Sequence, residues 1–167
     1  MGETTQSVRL IAQHASNVHW VRELPEKATL RDRFRRWVYP EEYQFDKEAR
    51  PPKPWVDRPA GHYERTGWRI RAAYHADELA FEVEYVVCHP CRIAWVESPH
   101  TYEEYRRCGL AAAALAALRE AYPDAQWHTA GGHFRESEPF WTRVGQGVAG
   151  EYAQRERCHH IEPRRAR

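Results

Sequence analysis

Three consecutive segments in the middle of the chain alternate between apolar and polar residues. They are GWRIRAAY (67–74), LAFEVEYVV (79–87) and RIAWVE (92–97), and short polar turns separate them. β-branched and aromatic residues with a period of two are typical of strands. We therefore expect a three-strand antiparallel meander whose second turn is Cys88-His89-Pro90-Cys91.

The pattern changes to a helical period after a polar loop at 98–107. Residues 109–121 are good helix formers, and their larger apolar side chains recur on one face. The following segments predict a strand at 125–130, a short helix at 136–144 and a weak final strand from 148, before an Arg-rich tail.

The first third of the chain is harder to assign. Residues 7–13 alternate well enough to predict a short strand, and 24–37 predict a helix that Pro40 ends. Five prolines in 39–63 indicate a long irregular connection. Together the elements predict an α/β (α+β) fold.

Length, charge and cysteine content narrow the class of protein. A chain of 167 residues suggests one domain, 1–167. A net charge of +1 gives no general basic field for nucleic acid, and no apolar run is long enough for a membrane helix. The N-terminus lacks the apolar run of a signal peptide, so we expect a cytoplasmic enzyme. Its four cysteines then favour free thiols or a metal site over disulfides.

The junction between the polar loop and the helix has the chemistry of an anion site. A helix start presents unpaired N–H groups and partial positive charge, which bind phosphate. Gly109 allows close approach, and Arg106 and Arg107 add charged donors. The segment continues through Cys108 and Leu110 to Ala111. These residues predict a pyrophosphate-bearing ligand.

In this setting, Arg106-x-x-Gly109-x-Ala111 resembles the Gln/Arg-x-x-Gly-x-Gly/Ala motif of the GCN5-related N-acetyltransferase family. A strand follows the helix, and Phe140-Trp141-Thr142-Arg143-Val144-Gly145 resembles the family's aromatic ending of the next helix. The resemblance covers 67–145. It implies a mixed, mostly antiparallel sheet splayed in its middle, with helices on both faces.

The resemblance also implies a function. The chain would be an acetyl-CoA-dependent N-acetyltransferase acting on a primary amine of a small molecule or protein. Residues 1–66 would form the acceptor side, 67–145 the cofactor core and 146–167 the final strand and tail. The pyrophosphate would lie on the N–H groups of 107–111, and the pantetheine arm would pair with the strand that contains Trp95 and Val96. Many relatives dimerise, so a homodimer is one option.

Two departures from the family pattern concern the chemical step. The connection from Val96 to Arg106 is long: either the loop carries extra residues or the strand runs on toward Thr101, which Pro99 argues against. Trp141 occupies the place where many relatives have a tyrosine that protonates the thiolate of CoA, and an indole N–H is far too weak an acid for that.

Glu97 and His128 are the candidate proton acceptors. Glu97 ends the strand expected to line the reaction centre, and His128 lies on the strand across the channel, with a pKa range suited to proton transfer. The alternatives are a solvated or Arg-paired carboxylate and a satisfied histidine near the core.

Two other functions stay open. A noncatalytic acyl-CoA-binding module would explain Trp141. A zinc-stabilised binding domain would use Cys88 and Cys91 with Cys158 and His159 or His160. A two-residue-spaced cysteine pair is usually inert, so no metal ligand is assigned from the sequence.

Overall fold

The chain begins with a helix rather than a strand. The computed structural model describes residues 2–21, 53–60 and 67–161. Helix α1 spans Gly2–Gln13 and includes the segment predicted to be a strand, so that prediction is wrong. Val8 is buried, and Ile11 and Ala12 pack against the same core, which is the spacing of a helix face; Ala15 in the following turn is buried as well.

From residue 67 onward, the elements follow the predicted order closely. The strands are β1 (Val18–Trp20), β2 (Trp55–Pro59), β3 (Arg69–His75), β4 (Glu78–Cys88), β5 (Ile93–Thr101) and β6 (Gln126–Thr129). Helix α2 is Leu110–Ala121 and helix α3 is Glu138–Gly145. The meander, both helices and the strand after α2 are thereby confirmed, while the helix predicted for 24–37 lies outside the described residues.

Six strands form one mixed sheet in the order β1-β2-β3-β4-β5-β6. The outer pairs β1–β2 and β5–β6 are parallel, and the three pairs between them are antiparallel. Strand β2 lies in the stretch predicted to be an irregular connection, which corrects that expectation. Its Pro59 lies beyond the register of β1, where a missing N–H removes no bond on that side.

Strand β5 runs through Pro99 to Thr101, contrary to the expectation from Pro99. Glu97 pairs with Glu84 and His100 with Glu82, so two residues of β5 lie opposite one residue of β4. This is a β-bulge, and Ser98 within it has φ 48°. The bulge accommodates a residue without an N–H, so the strand continues past Pro99.

Two apolar clusters cover the sheet. The first joins all three described helices to one face, through side chains such as Val8, Leu115, Leu118 and Trp141. The second contains Trp68, Trp95 and Cys88, with Cys158 and Ile161 of the C-terminal segment packed against it. The described helices all pack on the first face, so the helices predicted for the second face are not found among the described residues. No described helix has the length and apolar character needed to span a membrane.

A buried ionic network ties β2, β3 and β4 together. Asp57 is fully buried and accepts hydrogen bonds from Arg69 at 2.6 Å, from Arg71 at 3.0 Å and from the hydroxyl of Tyr85 at 2.8 Å. Burial and the neighbouring carboxylate raise the pKa of Tyr85 well above its usual range, so this hydroxyl stays a donor. The final strand predicted from 148 is reduced to a single parallel bridge between Thr129 and Gln154.

Candidate functional site

Strand β6 ends halfway along its parallel neighbour β5. Their register begins at Ile93 and Gln126 and ends at Val96 and Thr129, the last residue of β6. Strand β5 continues beside β4 to Thr101, so among the described residues 97–101 pair with a strand on the β4 side alone. In open sheets, ligands bind outside the carboxyl ends of parallel strands, which makes this end of β5 and β6 the candidate site.

Helix α2 begins at the same end of β5. Its first hydrogen bond runs from the Ala113 N–H to the Gly109 carbonyl at 3.0 Å, and no side chain caps its start. Gly109 adopts φ 89° and ψ 1°, and a Cβ there would meet only the Ala12 Cβ at 4.0 Å. The N–H groups of the first turn are therefore available to an anion.

The loop before this helix is anchored rather than free. The Tyr105 ring is buried and its hydroxyl donates to the Glu78 carboxylate at 2.9 Å. The exposed Arg106 side chain reaches back to the Thr101 carbonyl at 3.4 Å, and exposed Arg107 has φ 62°. Cys108 is buried, with its thiol 3.6 Å from the Arg106 carbonyl. The predicted phosphate segment thus combines two exposed cations with a fixed turn.

The other predicted cofactor residues are buried, except Ala111, which is partly buried. Leu110 packs in the first core, and Ala111 packs against it. Trp95 and Val96 are fully buried and have a strand on each side, β4 and β6. In the part of the chain that the structure describes, 97–101 pair with β4 alone. We call this part of β5 its one-sided edge, and it begins at Glu97.

Glu97 is held by an arginine from the C-terminal segment. Its carboxylate accepts a hydrogen bond from Arg157 at 2.7 Å, and the Arg157 guanidinium also lies over the Trp68 ring at 5.8 Å. This is the Arg-paired alternative considered for Glu97. The ion pair with Arg157 fixes the Glu97 carboxylate just beyond the last paired residues of β5 and β6.

His128 is buried and hydrogen-bonded at both ring nitrogens. Nδ1 lies 3.1 Å from the Ala153 carbonyl and Nε2 lies 3.3 Å from Nη1 of Arg155. Burial lowers the pKa of His128, and the positive charge of Arg155 adds to that effect. A neutral imidazole that donates through Nδ1 and accepts at Nε2 satisfies both contacts.

Trp141 is part of the core. It is 6% exposed, lies 5.4 Å from the Tyr152 ring between centroids, and stacks on His133 at 4.6 Å with the planes 12° apart. Nε2 of His133 lies 3.3 Å from the Thr129 hydroxyl at the end of β6. The structure therefore places a second imidazole, His133, against the ring of Trp141.

A second group of chemically active side chains lies at the opposite end of β5. It is the thiol–imidazole cluster, whose ligand atoms all lie within 4.8 Å of one another: Cys88, Cys91, Cys158 and His160. The sequence named these cysteines and left His159 or His160 open. The structure selects His160, whose Nδ1 is 3.4 Å from Cys91 Sγ.

The thiols of this cluster interact directly. Burial raises the pKa of Cys88 to about 11. Burial also acts to raise the pKa of Cys158, but hydrogen bonds from the Cys88 thiol and from the N–H groups of Ile161 and His160 outweigh it and lower that pKa.

Sequence reasoning missed Arg155, Arg157 and His133. The two arginines lie in a tail whose many basic residues gave no sign of which ones contact the sheet. A histidine close after a predicted strand was the only available signal for His133. Asp57 was missed because its strand lies in a proline-rich stretch.

Comparison with known proteins supplies no family for this chain. No protein-family model matches it, and no curated protein matches it. Its function is therefore argued from the residues and geometry described above.

Proposed function

We propose that this chain is an acetyl-CoA-dependent N-acetyltransferase that acts on a primary amine of a small molecule or protein. The observation that carries the proposal is that β5 continues past the end of β6 and leads into an uncapped helix start. The motif Arg106-x-x-Gly109-x-Ala111 lies at that start.

The geometry suits the two ends of the cofactor. The pyrophosphate would accept hydrogen bonds from the N–H groups of 107–111, and Arg106 and Arg107 would add positive charge. The amide groups of the pantetheine arm would pair with the one-sided edge of β5 beyond Val96, as an added strand does. The thioester would then lie beside β5, just beyond the end of β6.

Acetyl transfer requires an amine that loses a proton and a thiolate that gains one. Glu97 is the first residue of the one-sided edge, so it is the proposed proton acceptor, directly or through water, with Arg157 fixing its orientation. His128 is the second candidate for the proton acceptor. Arg155 lies 3.3 Å from its Nε2, the nitrogen that would take the proton. His133 is the proposed proton donor to the thiolate, because Trp141 carries no suitable acid.

A noncatalytic acyl-CoA-binding module is the second candidate function. The burial of Trp141 and the ion pair of Glu97 favour it, since both reduce the groups available for proton transfer. Release of CoA thiol across a panel of amines separates the two functions. Binding without release on every amine supports the module, and robust release excludes it.

Glu97→Gln tests the proposed proton acceptor, and Glu84→Gln is the matched control because Glu84 is its cross-strand neighbour. We expect Glu97→Gln to lower kcat about 10²-fold or more while the Kd for CoA changes little. Glu84→Gln should leave both nearly unchanged. Equal losses of kcat in the two variants would refute the role of Glu97.

A further inference from the structure

The thiol–imidazole cluster joins two short segments that are far apart in the sequence. Cys88 ends β4 and Cys91 lies in the turn before β5, whereas Cys158 and His160 belong to the C-terminal segment. Cys91 and His160 are separated by 69 positions, yet their ligand atoms are 3.4 Å apart. Tertiary folding, rather than a local motif, therefore brings the four groups together.

The spacing of the four atoms fits a tetrahedral ion. Bonds of about 2.3 Å to sulfur and about 2.0 Å to nitrogen place the ligand atoms of a zinc site roughly 3.5–3.8 Å apart. All four atoms lie within 4.8 Å of one another, so the longest pair needs to close by about 1 Å or less. The set of three thiols and one imidazole leaves no position for water or substrate.

Backbone N–H groups support both halves of the cluster. The Cys91 N–H acts to lower the pKa of the Cys88 thiol across the turn. The N–H groups of His160 and Ile161 act to lower the pKa of the Cys158 thiol, and the Ile161 N–H donates to the Cys158 carbonyl at 3.0 Å. Hydrogen bonds of this kind orient metal-binding thiolates and stabilise their charge.

We propose that the chain binds one structural zinc ion through the thiol–imidazole cluster of Cys88, Cys91, Cys158 and His160. Four protein ligands with no open position are typical of structural zinc sites, and sulfur-rich tetrahedral sites favour zinc over the harder divalent cations. The inference depends on the cluster alone and is independent of the acetyltransferase proposal.

The ion tethers the C-terminal segment to the second face of the sheet. Between Gln154 and the cluster, the Arg155 carbonyl accepts a hydrogen bond from the Trp95 indole at 3.0 Å, and Arg157 pairs with Glu97. Each of these hydrogen bonds is only partly buried. A metal crosslink at the end of the segment therefore keeps the arginines beside β5.

Metal content tests the site directly. The full chain is purified without a polyhistidine tag or chelator, and its zinc content is measured by inductively coupled plasma mass spectrometry. We expect about one zinc per chain, retained in His159→Asn and lost on dialysis from His160→Asn, with an affinity more than ~100-fold weaker. His159 is the matched control because it is the exposed neighbour of His160 outside the cluster.

Cobalt provides a signature of the ligand set. Added to metal-free protein, Co²⁺ should give the intense visible bands of tetrahedral geometry and the near-ultraviolet bands of thiolate ligands. Cys158→Ser should remove part of both, and Cys108→Ser, a thiol outside the cluster, should leave the spectrum unchanged. Wild-type protein that contains no zinc and binds neither added zinc nor cobalt, or that joins these cysteines in a disulfide, would overturn the site.

Trypsin tests the tether in the wild-type chain, independently of any variant. Cleavage after Arg155 and Arg157 should be about 10-fold faster or more once a chelator has removed the metal, because the segment then leaves the sheet. Restored resistance on adding zinc is expected. Equal cleavage rates with and without bound zinc would overturn the tether.

Discussion

Gly109 allows stability and cofactor binding to be driven in opposite directions. Its φ of 89° is a conformation that asparagine and aspartate tolerate better than other residues, and a Cβ there meets nothing closer than 4.0 Å. Gly109→Asp and Gly109→Asn therefore carry about the same backbone strain, of order 1 kcal/mol. They differ in one negative charge at the start of helix α2.

The charge has two calculable effects. A carboxylate at a helix N-terminus stabilises the fold by about 0.3–1 kcal/mol, so Gly109→Asp should be at least as stable as Gly109→Asn. Against a bound pyrophosphate the same charge is repulsive. For an exposed position about 4–5 Å away, the repulsion is about 1–2 kcal/mol, which weakens CoA binding by roughly 5- to 30-fold relative to Gly109→Asn.

Isothermal titration with CoA measures the two affinities, and thermal unfolding measures the two stabilities. The difference in affinity should shrink as salt is raised, because the charges are exposed. Equal CoA affinities in the two variants at low ionic strength would refute the assignment of the pyrophosphate to this helix start.

Three further perturbations test the fold around the site. Gly150→Ala should destabilise the chain by about 3 kcal/mol or more, since a Cβ would lie 2.6 Å from the Trp127 carbonyl, whereas Gly147→Ala, with a similar φ and open space, should cost about 1 kcal/mol in denaturant unfolding; equal losses would contradict the packing. Asp57→Asn should cost about 3–5 kcal/mol in the same measurement because it removes the carboxylate that neutralises the buried Arg71, and a loss under about 1 kcal/mol would contradict the network. The ring of His128 should titrate in NMR below the ordinary histidine range, so that protonating it costs folding stability as pH falls below the unfolded-state pKa; a raised pKa would contradict its burial beside Arg155.

The sequence was sufficient where a segment's own pattern decides its structure. Each segment of the meander alternates over six or more residues, and α2 is a long run of helix formers that starts after a glycine, so local preference and tertiary structure agree. The prediction of a strand at 7–13 was wrong because so short a window fits both the helical and the strand period. The side chains that decide the period, Val8, Ile11 and Ala12, lie on one face of a helix that extends beyond the window on its N-terminal side.

Features that depend on a partner far along the chain were beyond the sequence. The strand Trp55–Pro59 is short and lies among prolines, and its stability comes from β3 and from the arginines around Asp57. The continuation of β5 past Pro99 depends on a bulge that only its pairing with β4 reveals. The choice of His160 over His159 likewise depends on how the tail crosses the sheet.

Calorimetric titration of the wild-type chain with CoA measures whether the helix start at Gly109 belongs to a cofactor site. We expect saturable binding at one site per chain, weakened by salt and by Gly109→Asp. A folded wild-type chain that shows no heat of binding with CoA or acetyl-CoA up to millimolar concentrations would refute acetyl-CoA binding.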